Sequence, residues 1–236
     1  MLALQASIGA LNDLVDVEAD QRVKPAKPLA ARVVGQGTGR AVVVGGLVLG
    51  LALAATAGPL ALGVAIVGVG AGYAYDLRLK GTAWGPLAFA VGVPLLPVFA
   101  WIGAVGSLPS SFVALIPAAV LAGSGLAIAN ALADRDDDRL TGIETAATRL
   151  GSTRAWRLHL AALVSAIVIA VGGLGAFGGS GPGLWMVAAG GTLVGLGVLM
   201  ANPSRPRGRP HGWEIEAVGI GLLGIGWLLA LGLQPG

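Results

Sequence analysis

The sequence has no cysteine, only two histidines and two tyrosines, and few charges, and each scarcity removes a class of chemistry. Without cysteine there are no disulfides, thiolate metal sites or cysteine nucleophiles, and the redox compartment leaves no trace in the chain. The two histidines, His159 and His211, stand apart from each other and from every acidic motif, so a histidine-based zinc site or a serine triad has little support. No Walker-type loop, zinc motif or nucleotide fingerprint occurs. Charged residues make up 11% of the 236 positions against 55% hydrophobic ones. Mean hydropathy is +0.81, outside the range of a soluble domain. Such a chain requires a membrane.

The net charge of +3 invites a nucleic-acid reading, but the placement of the charges has a better explanation. All 15 basic and 12 acidic residues fall within 13–40, 76–80, 134–157 and 205–216. Each interval between these stretches has room for two bilayer spans of about 17–25 residues. Hydropathy predicts spans at 41–57, 59–75, 83–106, 112–133, 158–177, 184–201 and 215–233. The turns within each pair, at Gly58-Pro59, Gly106 to Ser111 and Gly178 to Gly183, carry no charge. Every charged loop therefore lies on one side, which the positive-inside rule makes cytoplasmic.

Two stretches echo one another. Asn12-Asp13-Leu14-Val15-Asp16-Val17-Glu18-Ala19-Asp20 and Asn130-Ala131-Leu132-Ala133-Asp134-Arg135-Asp136-Asp137-Asp138 both read N-x-L-x-D-x-x-x-D. On a helix, positions i, i+4 and i+8 share roughly one face, so each copy presents a stripe of one amide and two carboxylates. Two such stripes together would form an oxygen-lined site for a divalent metal. Only eleven apolar residues, Met1 to Leu11, precede the first stripe, too few to cross a bilayer. They read as the second half of a spanning helix, as a misassigned start or a truncated relative of a longer protein would leave it.

Cations follow each stripe. Arg22, Lys24, Lys27 and Arg32 come after the first, Arg139 after the second, and Arg78 and Lys80 stand beside Tyr73 and Tyr75. Topology signals alone need no carboxylates, so the neighbouring aspartates favour a multivalent anion as the partner of these cations. Asp136 and Asp137 point elsewhere on their helix and read as solvated surface. The last loop, 202–210, is basic and proline-rich with no acidic partner of its own, and reads as a topology signal. Pro86, Pro94 and Pro97 in the third expected span suggest a kink, with Trp84 and Trp101 as interfacial belts.

Mg²⁺ is commonly held by one or two carboxylates plus substrate phosphates. A diphosphate bridged to the stripes by Mg²⁺ would suit that habit, with an isoprenoid tail among the apolar helices. Metal and cations would stabilise the leaving diphosphate, and a tyrosine face the allylic cation left behind.

These motifs resemble those of the UbiA superfamily of intramembrane prenyltransferases, with N-D-x-x-D-x-x-x-D in Asn12 to Asp20 and D-x-x-x-D in Asp134 to Asp138. The stretch Asp134 to Asp138 followed by Gly142-Ile143 is similar to the hydroxybenzoate branch. Lys24 to Leu29 and Tyr75 to Lys80 are more like the lipid-forming branch. Two positions depart from the family pattern, Lys27 standing where Arg is usual and Arg32 where Gly is usual.

The resemblance implies an all-α bundle of nine transmembrane helices; the sequence itself offers a polytopic bundle in a single domain over 1–236 with seven full spans and a partial N-terminal one, lacking the first of the family's helices. It implies Mg²⁺ as cofactor, with Asn12, Asp13, Asp16, Asp20, Asp134 and Asp138 as its ligands. Asn12, Lys24, Lys80 and Arg139 would hold the diphosphate, and Asp16, Asp20, Asp134, Asp138 and Tyr75 would act in catalysis. The partners implied are a polyprenyl diphosphate and a small acceptor such as 4-hydroxybenzoate, in the cytoplasmic membrane and without nucleic acid. A glycerol-phosphate lipid and a phosphosugar remain open as acceptors. A secondary transporter would carry its acids near the bilayer midplane, whereas these lie at span ends. A non-catalytic scaffold would not need complete motifs.

Overall fold

A computed structural model describes residues 1–204 and 206–232 of the chain. Arg205 of the last charged loop and Leu233, where the seventh expected span closes, lie outside the described residues. In lipid a backbone must satisfy its own hydrogen bonds, so long apolar runs become helices. In chain order these are α1 (Leu2–Val15), α2 (Val17–Val23), α3 (Gln36–Thr56), α4 (Pro59–Ala74), α5 (Gly85–Val105), α6 (Phe112–Ala133), α7 (Arg135–Thr141), α8 (Ala146–Leu150), α9 (Ser152–Ala176), α10 (Gly183–Met200) and α11 (Arg209–Ala230). A π-helical turn, Tyr75–Leu79, continues α4, and no strand occurs among the described residues.

Seven helices are long and apolar enough to cross a membrane: α3, α4 with its π turn, α5, α6, α9, α10 and α11. They are the seven expected spans with their ends moved. α9 begins at Ser152 and α11 at Arg209, several residues earlier than hydropathy places them, because a helix runs on through charged residues once the chain leaves lipid. The third expected span stays one helix through Pro94 and Pro97. The short apolar opening is helical too.

No more than half of any span's most apolar stretch is buried. The outward faces carry large aliphatic side chains, such as Val44, Val48 and Leu53 on α3 and Val164, Val168 and Val171 on α9. Such continuous apolar surface has no place in water, and lipid is the solvent that fits it. The protein is an all-α integral membrane protein.

The helices form two compact units, Met1–Lys80 with Leu95–Leu108, and Gly81–Pro94 with Pro109–Gly236. In the first, α1 lies against α3 and α4. Glycine makes that approach close: a Cβ at Gly46 would stand 2.6 Å from the Ala3 carbonyl oxygen, and one at Gly72 would stand 2.7 Å from Ile8. Leu4, Ala54 and Ala65 are buried together beneath Leu47, Leu51, Leu62 and Phe99. Fully buried Ser7 donates to the Val43 carbonyl at 2.6 Å, which leaves the Tyr73 hydroxyl as the donor in its 2.7 Å bond to Ser7 Oγ. Tyr73 thus ties α4 to α1 beyond any interfacial anchoring. These contacts hold the helix that carries the first motif.

The second unit is built on two glycine ladders. Gly183, Gly190 and Gly197 recur every seven residues along α10, and Gly212, Gly219 and Gly226 do so along α11. The helices run antiparallel, so each glycine meets one of the other set. A Cβ at Gly190 would stand 2.6 Å from the Gly219 carbonyl oxygen and one at Gly219 would stand 2.8 Å from that of Gly190. Gly183 pairs with Gly226 and Gly197 with Gly212 in the same way. In lipid, helices associate through packing at small residues, and a seven-residue period keeps one seam aligned. Gly190→Ala is expected to lower thermal stability in detergent by about 1–3 kcal/mol through overpacking against backbone. Gly191→Ala, whose Cβ would meet nothing within 4 Å, should leave the unfolding curve in place.

The same unit fixes α6, the helix that leads into the second motif. α6 packs on α9, where a Cβ at Gly125 would stand 2.7 Å from Leu163. Buried Trp227 of α11 donates its indole N–H to the Ala170 carbonyl at 2.8 Å, and Trp156 of α9 donates to Val198 at 3.1 Å.

Candidate functional site

The two motif copies share a local shape as well as a sequence. α1 ends and α2 begins at Asp16, which has φ −88° and ψ −1°; α6 ends and α7 begins at Asp134, with φ −91° and ψ 0°. Each stripe was expected on one unbroken helix. Instead the helix bends at the central aspartate of both copies, in the bridge region of backbone space where many active-site residues sit. The turn is still closed by hydrogen bonds: Asp16 N–H to Asn12 O at 3.0 Å and Asp20 N–H to Asp16 O at 2.8 Å. The second copy repeats them, Asp134 to Asn130 at 3.3 Å and Asp138 to Asp134 at 2.9 Å. The bend thus keeps the i→i−4 hydrogen bonding of the backbone while the side chains divide, Asn12 and Asp16 toward the π turn and Asp20 with Asp13 toward Lys27.

In the first unit the motif is ringed by lysines. Lys27 donates to Asp13 Oδ1 and to Asp20 Oδ2, both at 2.8 Å, and Lys80 is bonded to Asp16 Oδ2. Asp20 is buried and Asp16 half-buried, so these are partly desolvated pairs rather than loose surface contacts. Partial burial works to lower the pKa of Lys27, but its hydrogen bonds to Asp13 and Asp20 and their charges outweigh it, and the ammonium is held above its ordinary value. Asn12 donates from Nδ2 to Asp76 Oδ1 at 2.9 Å. Tyr75 opens the π turn, whose closing bond runs from Lys80 N–H to the Tyr75 carbonyl at 2.8 Å. Lys24 caps α2 and is exposed.

Two of these residues make contacts that escape the sequence reading of the site. Lys27 reads there as one of four cations suited to hold an anion and as a departure from a family pattern, yet it bridges two of the motif's aspartates. Asp76 is the only acid in its charged stretch and stands four residues before Lys80, a spacing that signals its place beside the motif. Arg32 is the one non-glycine residue with positive φ among the described residues, at 58°. It occupies a left-handed turn of the kind glycine prefers, which accounts for glycine at that position elsewhere.

In the second unit Asp134 is exposed and Asp138 half-buried. Burial first, then the charges of Asp134 and Asp137, hold Asp138 above the usual carboxylate range, against a hydrogen bond from Thr145. α7 closes at Gly142, in the left-handed region at φ 74°, with Ile143 N–H returning to Asp138 O at 2.8 Å. Arg139 is exposed. Asp136 does lie at the surface, 63% exposed, but it is engaged: Arg135 reaches one oxygen at 3.1 Å and Arg209 the other at 3.2 Å. Arg209 is itself buried and also donates to the Pro203 carbonyl. The basic loop therefore has an acidic partner after all, one supplied by the second motif.

Both copies offer hard oxygen donors and no sulfur or imidazole, the set that suits Mg²⁺ rather than a softer metal. Two observations fit a divalent cation with this donor set. Asp76 Oδ2 is buried with no hydrogen-bond partner, and Asp138 carries the repulsion of its neighbours. Among the described residues no three carboxylates or imidazoles converge tightly enough to hold an ion alone.

Comparison with known proteins agrees with this picture. The model of the UbiA prenyltransferase family matches residues 1–210. No curated protein matches the sequence. A solved structure of an apo UbiA homolog from Aeropyrum pernix K1 aligns with TM-score 0.75 and 21% identity, over 96% of this chain and 85% of that one. A structure of digeranylgeranylglyceryl phosphate synthase aligns with TM-score 0.72 and 17% identity, over 97% and 82%. A UbiA homolog from Archaeoglobus fulgidus bound to Cd²⁺ aligns with TM-score 0.60 and 16% identity, over 94% and 70%. These likenesses are likenesses of fold.

Proposed function

We propose a function that starts from one fact: the chain belongs to the UbiA prenyltransferase family. It transfers a prenyl group from a polyprenyl diphosphate to a small acceptor within the membrane and depends on Mg²⁺. The observation that carries this is the repeated motif, the same N-x-L-x-D-x-x-x-D bent at its central aspartate in both copies. The charged loops, and with them both motifs, lie on the cytoplasmic side.

Asn12, Asp13, Asp16 and Asp20 in the first unit, and Asp134 and Asp138 in the second, would hold Mg²⁺. Mg²⁺, when bound, supplies positive charge against the diphosphate as it leaves. The chain's own groups do the rest. Lys24, Lys80 and Arg139 bind diphosphate oxygens directly and Asn12 holds the diphosphate through the metal, and Lys80 stands at the first motif through its bond to Asp16. The Tyr75 ring faces the allylic cation, which aromatic quadrupoles stabilise. Small-residue helix packing keeps water from that cation until the acceptor captures it.

The acceptor is an aromatic quinone precursor of the 4-hydroxybenzoate kind, as the Asp134 to Gly142 stretch suggests. A second reading, a glycerol-phosphate lipid acceptor, is favoured by a specific observation. The two stretches akin to the lipid-forming branch, 24–29 and 75–80, supply Lys27 and Lys80 to the first motif, and one structural neighbour is a digeranylgeranylglyceryl phosphate synthase. The purified chain, given radiolabelled geranylgeranyl diphosphate and Mg²⁺ with 4-hydroxybenzoate, a prenylated glycerol phosphate or a phosphosugar, decides between them. Labelled product with the aromatic acid alone supports the first reading and with the lipid alone the second. Neither product nor diphosphate release with any acceptor overturns both.

A further inference from the structure

The π turn after α4 sets two rungs against the first motif. Asp76 accepts from Asn12, and Lys80, four residues on, bonds to Asp16, four residues on from Asn12. π turns inside α-helices are frequent at functional sites. Here the turn places an acid opposite the amide and a base opposite the carboxylate. The base neutralises the Asp16 charge and also acts on Asp76 through space, but the acid's own hydrogen bond goes to a neutral amide. Asp76 is only 5% exposed, and its second oxygen, Oδ2, is buried without a partner. A carboxylate kept in that condition beside the motif is spent on something other than stability.

An asparagine amide presents an oxygen at one end and a nitrogen at the other, and the hydrogen-bond network decides which end faces which way. An ionised carboxylate only accepts. With Asp76 on one side, the Asn12 NH₂ must point there, and the carbonyl oxygen is the end left for a cation. We propose that Asp76 is a positioning residue: it fixes the Asn12 amide so that its oxygen, not its nitrogen, is offered to the metal that bridges to diphosphate. This rests on the reading of the first motif as the metal-diphosphate site. The arrangement parallels the carboxylates that orient metal-ligating histidines by taking the N–H opposite the ligating atom.

The test uses Mn²⁺ as a paramagnetic stand-in for Mg²⁺, titrated with inorganic diphosphate onto the detergent-purified full chain and followed by electron paramagnetic resonance. Asp76→Asn, isosteric and free to face Asn12 with either end, is expected to weaken Mn²⁺ binding by about 10- to 100-fold, the usual cost of losing such an outer partner. Asp76→Leu should lose at least as much. In an Asn12→Ala background the amide is gone, so Asp76→Asn should cost little further. A merely structural Asp76 would cost the same in both backgrounds, and that result overturns the proposal. So does wild-type affinity in Asp76→Asn when the unaltered chain binds Mn²⁺. If the unaltered chain binds no Mn²⁺ with diphosphate, the site reading falls and the positioning role with it.

Discussion

Asp138→Asn is expected to lower prenyl transfer by about 100- to 1000-fold, the loss typical when one preorganised group that stabilises developing charge is removed. Four of the five residues from 134 to 138 are aspartate. Of these, Asp138 is the half-buried one whose charge is disfavoured by burial and by Asp134 and Asp137. The substitution relieves that crowding, so the folded protein should be kept while activity disappears. Mg²⁺ with diphosphate should raise the unfolding temperature of the unaltered chain by mass action and raise that of Asp138→Asn much less. A chelator should abolish transfer in the unaltered chain. Asp137→Asn is the contrast: exposed, and outside the D-x-x-x-D pair, it should stay within about two- to threefold of normal. Equal loss in both variants would assign the effect to the charge of α7 as a whole and sink the assignment of Asp138.

Transmembrane architecture was legible because lipid imposes a simple rule on composition. Apolar runs bounded by charge become spans, and all seven did. The span ends were not legible, since Arg154, Arg157 and Glu214 belong to helices that hydropathy stops short of. The glycine ladder was written in the chain at a strict seven-residue period, but which six of 40 glycines mattered depends on a pairing that runs in opposite directions along α10 and α11. The motifs were legible as a repeat. Their bend was not, because the rule that places i, i+4 and i+8 on one face assumes an unbroken helix. The contacts of Asp76 and Lys27 were not legible for another reason. These are contacts with Asn12, Asp13 and Asp20 that only the packing of α1 and its neighbouring loop creates. Asp136 carries the same lesson, since an exposed acid joined to a buried arginine cannot be told from a solvated one by spacing alone.

The last large effect lies away from the motifs. His159 of α9 and Glu216 of α11 are both fully buried within spans, with Nε2 and Oε2 3.0 Å apart. Each keeps one further polar atom, Nδ1 and Oε1, without a partner. Ionisable groups at such positions are expensive, and the pair repays its burial only while both members are present. Glu216→Leu or His159→Leu alone is therefore expected to cost about 3–5 kcal/mol, read as lost resistance to unfolding in mixed detergent micelles. The double variant His159→Leu/Glu216→Leu should recover most of it, since well-packed apolar residues often replace a buried pair at little cost. Recovery has a geometric limit, because the Glu216 stem passes where a Cβ on Gly197 would lie, and a branched side chain fits that gap less well. Glu216→Met with His159→Leu should thus recover more than the two leucines. The pair joins α9 to α11, while Arg209 at the start of α11 reaches Asp136 in α7. Loosening α11 by a single substitution should therefore disturb the second motif as well, and transfer should fall further than the loss of folded protein explains. If the double variant costs the sum of the two single ones, the two residues act independently and the coupling of α9 to α11 through this pair does not exist.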